Sequence, residues 1–392
     1  MSSSQKPIFD AVALSQKLIQ QKSVSGEKDQ GALDILETAL KALSFDCDRL
    51  VFDGDGSYEV DNLFAKLSGG NSGDGKNLCF AGHTDVVPAG DEAAWSSDPY
   101  AAEIEDGVLI GRGAVDMKAA IAAWVAAISK YLASNELKNG SLSLIITGDE
   151  EADSVNGTKK MLGWMEKNNE KIDACIVGEP TNPESLGEMI KIGRRGSITF
   201  YLEVHGMQGH VAYPDIAINP IPPMVKILSS LTEHKLDDGS EFFLPSNLEI
   251  TTIDVGNSTT NLIPSTVKAT FNIRFNDRHT AYSLEKWVIG RCEEVTGQFS
   301  LRTDVSSESF ITEPGQLSNI VGNAVYKAVG KQPELSTTGG TSDARFIKDL
   351  CPVVECGLIN KTAHKVDEKI SVDDINDLTE IYFNIIESYF SN

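Results

Sequence analysis

His83 and Asp85 follow an apolar run, residues 78–81, that predicts the end of a buried strand. On an extended chain, side chains at positions i and i+2 point to the same side. A carboxylate that accepts the second ring proton of an imidazole is a common way of orienting a metal-binding histidine. The pair therefore indicates a metal ligand and its orienting partner, although such a pair at a strand end also occurs as ordinary surface residues.

Further acids and a second histidine fall at comparable places in the chain. Each follows a strand-like run or a glycine-rich turn, and the set is Asp116, Glu150, Glu151, Glu179 and His364. Because ligands bind at the carboxyl ends of strands in open α/β sheets, we expect these side chains at one sheet edge. Oxygen and imidazole ligands without thiolates suit zinc, manganese or cobalt at a hydrolytic site. Two imidazoles and at least three carboxylates suffice for two ions that share one bridging carboxylate.

Each of these residues has a simpler explanation when it is taken alone. Asp116 could cap the helix that follows it, and Glu150 and Glu151 could be solvated loop residues. Glu179 could belong to an ordinary turn, and His364 could be an exposed loop histidine. These explanations are hard to sustain together, because all five positions fall at predicted strand ends or helix starts.

Composition restricts the class of protein. The 392 residues are enough for two domains. With 34 Lys and Arg against 57 Asp and Glu, the formal charge of −23 disfavours nucleic acid and anionic membrane as partners. An anionic substrate would then need a local basic pocket. The six cysteines form no C-x-x-C pair, which indicates reduced thiols. No apolar segment suits a secretory signal or a bilayer span, so we expect a cytoplasmic protein.

Strand-like and helix-like runs alternate over the first half of the chain, which is typical of an α/β sheet covered on both faces. From about residue 195 the order becomes β-α-β-β-α-β, the ferredoxin-like signature. After about residue 309 the first pattern returns. We predict a mostly parallel-sheet α/β domain over residues 1–194 and 309–392, interrupted by a ferredoxin-like α+β domain over 195–308. The first domain has predicted strands at 62–67, 77–81, 142–147, 174–177 and 353–356, and a loop at 68–76.

Eight motifs carry a resemblance to a known family. They are GHTDVVP at 82–88, GRGAVDMK at 111–118, TGDEE at 147–151, VGEPT at 177–181, GRRGS at 193–197, HGMQGHVAYP at 205–214, GGTSDARF at 339–346 and HKVDE at 364–368. Through them the chain resembles the dizinc aminoacylase/carboxypeptidase family of metallopeptidases. The stretches 193–197, 205–214 and 339–346 resemble its N-succinyl amino acid subgroup. Two positions depart from that subgroup, which would have Asn at Asp367 and Gly at Ala344.

The resemblance implies how two zinc ions would be held. His83 and Glu179 would bind one ion, Glu151 and His364 the other, and Asp116 would bridge them. Co²⁺ is an ion that could substitute. In the family the bridging aspartate precedes a non-proline cis peptide, so the bond from Asp116 to Met117 is expected to be cis.

The resemblance also implies catalytic and substrate-binding roles. Asp85 would orient His83, Glu150 would be the general base, and His210 would stabilise the tetrahedral oxyanion from the partner subunit. Guanidinium groups match substrate carboxylates, so basic and polar residues within and near the inserted domain are expected to bind the substrate. These substrate-binding residues are Arg194, Asn261, Arg274, Gly340 and Thr341.

The function implied is that of a cytoplasmic amidohydrolase that releases succinate from N-succinyl-L,L-2,6-diaminopimelate, on the route to lysine and cell-wall precursors. It would act as a homodimer joined through the inserted domain, which would also serve as a lid, on a small anionic N-acyl amino acid. Two alternatives stay open. One is a sister enzyme, an acetylornithine deacetylase or a dipeptidase. The other is a metal-binding or assembly protein without catalysis, against which Glu150 argues, because a base that binds no metal has no structural purpose.

Overall fold

The chain folds into two compact units. The structure, a computed structural model, describes residues 6–28, 31–70 and 75–391, so residues 71–74 of the predicted loop at 68–76 lie outside the described part. Unit 1 comprises Met1–Ile192, Thr312–Ser336 and Ser342–Asn392. Unit 2 comprises Gly193–Ile311 and Thr337–Thr341. A segment inserted in the sequence thus folds largely on its own, and the flanking segments fold together.

Unit 1 contains seven helices and two sheets within the described residues. The helices are α1 Ala11–Ile19, α2 Ala32–Ala42, α3 Lys118–Ser134, α4 Thr158–Lys167, α7 Gln316–Val329, α8 Ala344–Ile347 and α9 Val372–Ser391. The strands of the large sheet are β1 Asp46–Gly54, β2 Ser57–Ser68, β3 Asn77–His83, β6 Ser141–Thr147, β7 Ala174–Val177, β8 Met189–Lys191, β17 Glu334–Ser336 and β18 Val353–Glu355. The small sheet has β4 Glu103–Glu105, β5 Val108–Ile110 and β19 Lys369–Ser371.

The large sheet is mixed rather than mostly parallel. Its order is β1-β2-β6-β3-β7-β18-β8-β17. The pairs β6–β3, β3–β7, β7–β18 and β8–β17 are parallel, whereas β1–β2, β2–β6 and β18–β8 are antiparallel. The parallel prediction holds for the central strands, which are buried on both faces, as all seven residues of β6 are. It is wrong at one edge, where a hairpin adds the unpredicted β1 and β2 pairs antiparallel with β6, and for the pair β18–β8.

Helices α1, α3, α7 and α9 contact one another and form the main helical group of unit 1. Helix α3 is rich in alanine, the strongest helix former, and is buried along most of its length. Its Trp124 stacks on Phe80 of β3 with ring centroids 4.8 Å apart. Tyr382 of α9 makes edge-to-face contacts with both rings. This aromatic cluster fixes β3, which ends at His83, against two helices.

Unit 2 is built around a four-stranded antiparallel sheet with two helices. Its strand order is β12-β14-β10-β15, the order of a ferredoxin-like sheet. The elements are β9 Gly193–Arg194, β10 Gly196–His205, β11 Gly209–His210, α5 Ile221–Thr232, β12 Asn247–Asp254, β13 Leu262–Ile263, β14 Thr266–Phe275, α6 Ala281–Glu293, β15 Phe299–Ser307 and β16 Phe310–Ile311. Along β10 and β14, every second residue is buried and packs with α5 and α6 into one core. In this core Phe200 stacks on Phe271.

Two small pairings complete unit 2. Strand β11 pairs with β13, and β9 pairs with β16 near two of the four points at which the chain passes from one unit to the other. Neither pairing was predicted, since two-residue strands leave no periodic signal. In the described part of the chain, no helix combines the length and the apolar character that a bilayer crossing requires.

Candidate metal centre

The candidate centre lies where three adjacent parallel strands end. His83 is the last residue of β3 rather than a loop residue, because its backbone still pairs with Thr147 of β6. Glu150 and Glu151 follow the end of β6, and Glu179 follows the end of β7. The expectation that strand ends gather these side chains at one sheet edge is confirmed for this group.

Asp116 brings the two histidines into one site. Its Oδ1 lies 3.2 Å from Nε2 of His83, and its Oδ2 lies 3.3 Å from Nε2 of His364. Next to His83, Glu179 Oε1 lies 3.6 Å from Nε2 of that histidine. On the other side, Glu151 Oε1 lies 2.7 Å from Nε2 of His364. One carboxylate thus has an imidazole and a further carboxylate next to each of its oxygens.

Packing of Met117 places Asp116. Asp116 does not cap α3, because Met117 is the N-cap residue and no side chain makes a capping hydrogen bond there. The bond from Asp116 to Met117 is cis, as expected. The Met117 side chain is buried between the ends of β3 and β7, where a Cβ at Gly82 or Gly178 would lie 2.6 Å from its Cε. Glycine at these two positions therefore makes room for the residue that follows Asp116.

Asp85 holds the loop of Glu150 and Glu151 as well as the ring of His83. Nδ1 of His83 bonds the main-chain oxygen of Asp85 at 2.9 Å, while the Asp85 carboxylate lies 3.6 Å away. That carboxylate accepts the main-chain N–H groups of Glu150 and Glu151 at 3.2 and 3.0 Å, and the hydroxyl of Ser25 at 2.7 Å. The ring is oriented chiefly by main chain, because the carboxylate is engaged by the neighbouring loop.

A second buried carboxylate, Asp149, shapes the other side of the same loop. It accepts main-chain N–H groups from Ser154, Val155 and Asn156 at 2.8–3.1 Å, and the hydroxyl of Tyr58 at 2.6 Å. Ser25, Asp149 and Tyr58 were not predicted as site residues. Asp149 stood in the TGDEE motif, and only its burial distinguishes it from the two acids that follow.

The charges of the site are unbalanced when only protein groups are counted. Burial raises the pKa of Glu150 well above its usual range, and that of Glu179 likewise, with nearby acids adding to both. Burial acts to raise the pKa of Asp116, but hydrogen bonds from His364 and His83 outweigh it and hold the pKa below its usual range. Hydrogen bonds to Asp116 and Glu151 raise the pKa of His364 to about 10. Several buried carboxylates in contact call for compensating positive charge.

The residues present fit metal ions. Ligand atoms of His83, Asp116 and Glu151 lie within 4.8 Å of one another, as do those of His83, Glu150 and Glu179. Imidazole and carboxylate donors suit zinc and its neighbours in the transition series. Distance alone does not set Glu150 apart from the ligands, so its role as a base depends on the chemistry rather than on its position.

The five predicted substrate-binding residues lie in unit 2, and the structure brings three of them together. Arg194 is buried and donates from Nη1 to the main-chain oxygen of Gly340 at 3.0 Å. Thr341 Oγ1 lies 3.3 Å from the hydroxyl of Ser307. Gly339 has a φ of +101°, and a Cβ there would lie 2.7 Å from Arg194 Nη1. Glycine at position 339 is thus needed for the close approach of Arg194.

The other two predicted substrate-binding residues, Arg274 and Asn261, and the predicted catalytic residue His210 lie elsewhere in unit 2. Burial lowers the pKa of Arg274 in β14, and the charge of Arg195 lowers it further. Asn261 is exposed and accepts the main-chain N–H of Val211, next to His210. His210 is exposed on β11, and its Nδ1 accepts the main-chain N–H of Ala212 at 3.0 Å. In the neutral ring the proton therefore resides on Nε2, which faces away from this bond and can donate.

The two departures from the subgroup pattern have local structural correlates. Asp367 has a φ of +55°, a conformation that Asp and Asn adopt more readily than most residues. Its Oδ1 accepts the N–H and the hydroxyl of Ser96 at 2.8 and 3.0 Å. Ala344 is fully buried at the start of α8. Neither residue belongs to the group of candidate ligands.

Comparison with known proteins gives a family and close relatives. The sequence profile of peptidase family M20/M25/M40 matches residues 79–388. The succinyl-diaminopimelate desuccinylase of Parvibaculum lavamentivorans is 52% identical over 387 residues, 98% of this chain and 96% of that relative. The protein of the same name from Rhodospirillum centenum is 53% identical over 383 residues, 97% and 98% of the two chains. A solved structure, the M20 family metallo-carboxypeptidase Sso-CP2 from Sulfolobus solfataricus, has a TM-score of 0.79 at 18% identity, covering 98% and 100%, and shares the fold.

The electrostatics of the centre predict how stability depends on pH when metals are chelated. Because the pKa values of Glu150 and Glu179 are raised from 4.5, the folded protein keeps protons there that the unfolded chain has lost. The pKa of His364 is raised from 6.5 to about 10, so the folded protein also keeps this proton between pH 6.5 and about pH 10. The unfolded chain then binds fewer protons, so stability falls as pH rises from about 4.5 to about 10. Saturating Zn²⁺ should raise the melting temperature more at pH 8 than at pH 5, since zinc competes with protons for the ligands.

Melting curves of two variants check this expectation. Glu179→Gln removes one of the repelling carboxylates and should make the decline with pH shallower. Glu184→Gln, at an exposed residue paired with Lys361, should leave the slope unchanged. Identical slopes for wild type and Glu179→Gln would contradict the account.

Proposed function

Because this chain belongs to peptidase family M20/M25/M40, we propose that it is a metal-dependent amidohydrolase that cleaves N-succinyl-L,L-2,6-diaminopimelate to succinate and L,L-2,6-diaminopimelate. The substrate follows from relatives of that name that are more than half identical over nearly the whole chain. The observation that carries the chemistry is the Asp116 carboxylate with one oxygen toward each of two histidines. The reaction belongs to lysine and peptidoglycan precursor synthesis, and the proposed place of action is the cytoplasm.

Two zinc ions fit the proposed centre, and Co²⁺ could replace them. His83 and Glu179 would hold one ion, His364 and Glu151 the other, with one oxygen of Asp116 for each. The distances around Asp116 support this division, because each histidine has its own second carboxylate. When bound, the ions supply a water of lowered pKa and polarise the amide carbonyl.

Glu150 is the proposed general base and acid. It takes a proton from the attacking water as the oxygen of that water bonds the amide carbon. It then delivers the proton to the nitrogen of the leaving amine as the carbon–nitrogen bond breaks, so that no proton is gained or lost overall. The raised pKa of Glu150 suits this exchange, because a more basic carboxylate takes up the proton of the water more readily. Asp85 positions this base through the loop N–H groups.

The residues of unit 2 are proposed to bind the anionic substrate. The protein carries a net charge of −23, so the carboxylates of the substrate need local cations. Arg194 and Arg274 supply them, and Asn261, Gly340 and Thr341 supply neutral hydrogen-bonding groups. The bond from Arg194 to Gly340 supports a preformed site, because it fixes the guanidinium before the substrate arrives.

We further propose that unit 2 forms a homodimer and that His210 serves the partner's centre. Around His210, five apolar side chains are 47–70% exposed, namely Met207, Val211, Tyr213, Ile216 and Ile218. A contiguous exposed apolar surface of this kind is typical of a contact between proteins. Strand β12 is an exposed edge of the unit 2 sheet, which a twofold partner could extend. Nε2 of His210 would then donate to the oxyanion in the neighbouring centre.

Release of succinate tests the proposed substrate most directly. The purified protein is loaded with Zn²⁺ and assayed against N-succinyl-L,L-diaminopimelate, N-acetylornithine and a dipeptide panel. We expect kcat/KM for the succinylated substrate to exceed the others by at least about 100-fold, because unpaired buried polar groups penalise a substrate that lacks their partner. Preference for N-acetylornithine or for a dipeptide would instead identify a sister activity of the family.

The role of Glu150 predicts a separation of activity from metal binding. Glu150→Gln should lower kcat by about 10²–10⁴-fold or more, because the variant cannot transfer a proton. Its zinc content should equal that of the wild type, whereas the control Glu151→Gln should lose zinc affinity. A Glu150→Gln protein that has lost zinc, or that retains a near-normal rate, would show that Glu150 is not the base.

The dimer proposal predicts complementation behaviour that distinguishes action in trans from action in cis. His210→Ala alone should lower the rate by about 10²–10³-fold with unchanged zinc binding. A chain carrying both Glu150→Ala and His210→Ala is then paired with a wild-type chain. In trans, each centre receives one lesion and the purified heterodimer is nearly inactive. A heterodimer with about half of full activity would place His210 in its own subunit's centre.

A further inference from the structure

Glu368 is a buried carboxylate that holds the loop carrying Asp116. Its side chain is fully buried. Oε1 accepts the main-chain N–H groups of Val115 and Asp116 at 2.8 and 3.1 Å. Oε2 accepts the main-chain N–H of Gly113 at 3.2 Å and Nη1 of Arg112 at 2.6 Å. The carboxylate thus takes four N–H groups from five consecutive residues, the last of which is the shared carboxylate of the centre.

Glu368 also ends the loop that carries His364. The N–H of Gly111 bonds the main-chain oxygen of Glu368 at 2.9 Å, and β19 then pairs with β5. Within this loop His364 and Asp367 have φ values of +62° and +55°. Non-glycine residues keep such conformations only where their surroundings fix them. Glu368 therefore joins, through one side chain, the loop of Asp116 to the loop of His364.

Arg112 makes a second connection between the same two loops. While Nη1 bonds Glu368, Nη2 lies 3.4 Å from the main-chain oxygens of His364 and Pro88. The guanidinium also lies over the ring of Trp95, 5.2 Å from its centroid. Arg112 is 2% exposed, so its charge and that of Glu368 are paired in the protein interior. Removing either partner leaves an uncompensated buried charge.

We propose that Glu368 is a positioning residue that, with Arg112, sets the separation of Asp116 from His364 and so controls binding of the second ion. This inference rests on the proposed two-ion function. The first ion position shares Asp116, but its other two ligands, His83 and Glu179, stand at the ends of β3 and β7 and receive no bond from Glu368. The second depends on His364, whose place relative to Asp116 is fixed by the Glu368 contacts. Both oxygens of Glu368 are taken up by N–H donors of residues 112–116, so Glu368 is not counted among the ligands.

The isosteric variant Glu368→Gln isolates this role. An amide of the same size has one acceptor oxygen, so its NH₂ group faces two N–H donors, from the 115–116 side or from the 112–113 side. The loop of Asp116 must shift to relieve this, while no cavity is created. A matched control is Asp237→Asn in unit 2, since Asp237 also accepts N–H groups, from Gly239, Ser246 and the Asn276 side chain. Asp237 also pairs with His279, so both variants disturb a carboxylate that accepts several N–H groups and has a basic partner, but only Glu368 holds the centre.

Metal titration provides a readout that does not depend on activity. Chelated wild type, Glu368→Gln and Asp237→Asn are titrated with Zn²⁺ by calorimetry, and with Co²⁺ while spin coupling between the ions is followed by electron paramagnetic resonance. Wild type and Asp237→Asn should take two ions with coupled spins. Glu368→Gln should bind the second ion about 10–100-fold more weakly, with the coupling lost, and should weaken the first ion by less, because two of its three ligands lie outside the shifted loops.

Each outcome decides the proposal. Unchanged second-ion affinity and coupling in Glu368→Gln would overturn it, as would an equal loss in Asp237→Asn. Binding of only one ion by wild type would reject the two-ion function itself, which is a different failure. If Glu368→Gln does not fold, Arg112→Lys replaces it. That variant keeps the Glu368 carboxylate and its main-chain bonds but cannot reach the His364 oxygen, and should weaken the second ion by about 10-fold. An unchanged second ion in Arg112→Lys would overturn the proposal.

Discussion

The arrangement of unit 1 depends on one constraint, the sharing of the Asp116 carboxylate by two imidazoles in a largely buried site. Burial of a charged group is costly unless opposite charge lies close by. Glu151 and Glu179 add negative charge on either side of Asp116, and among the described residues in contact with these three acids only His83 and His364 are basic. Burial raises the pKa of Glu179, and the neighbouring charges of Asp116 and Glu150 raise it further. The site is therefore built for added cations, and the surrounding loops must hold their acids in place without them.

Other buried carboxylates do this holding. Asp85 and Asp149 accept main-chain N–H groups on the two sides of the loop that follows β6. Glu368 does the same for the loop before α3. Main-chain N–H groups stabilise the charged form of a buried carboxylate. Because one carboxylate accepts several N–H groups of the same loop, it also fixes the conformation of that loop. Buried acids thus divide into those that face the centre and those that shape its loops, and the two kinds alternate closely in sequence.

The fold and the metal centre could be predicted from the sequence only in part. The strand ends, His83 and the group around Asp116 follow from apolar runs and from the rule for parallel sheets. The edge hairpin β1–β2 and the two-residue strands of unit 2 do not, because they lack a periodic pattern. Glu368 stood in a recognised motif and still received no role, since nothing local separates an acid that accepts main-chain N–H groups from one exposed to solvent. Only the long-range contacts, between residues more than 250 positions apart, make the distinction.

Anomalous X-ray diffraction at the zinc edge, from crystals of the zinc-loaded protein, tests the central claim most directly. The account predicts two anomalous peaks about 3.5–4 Å apart. One should lie beside His83 and Glu179 and the other beside His364 and Glu151, with an oxygen of Asp116 bound to each. A single peak at full zinc saturation, or two peaks that share no Asp116 oxygen, would contradict it.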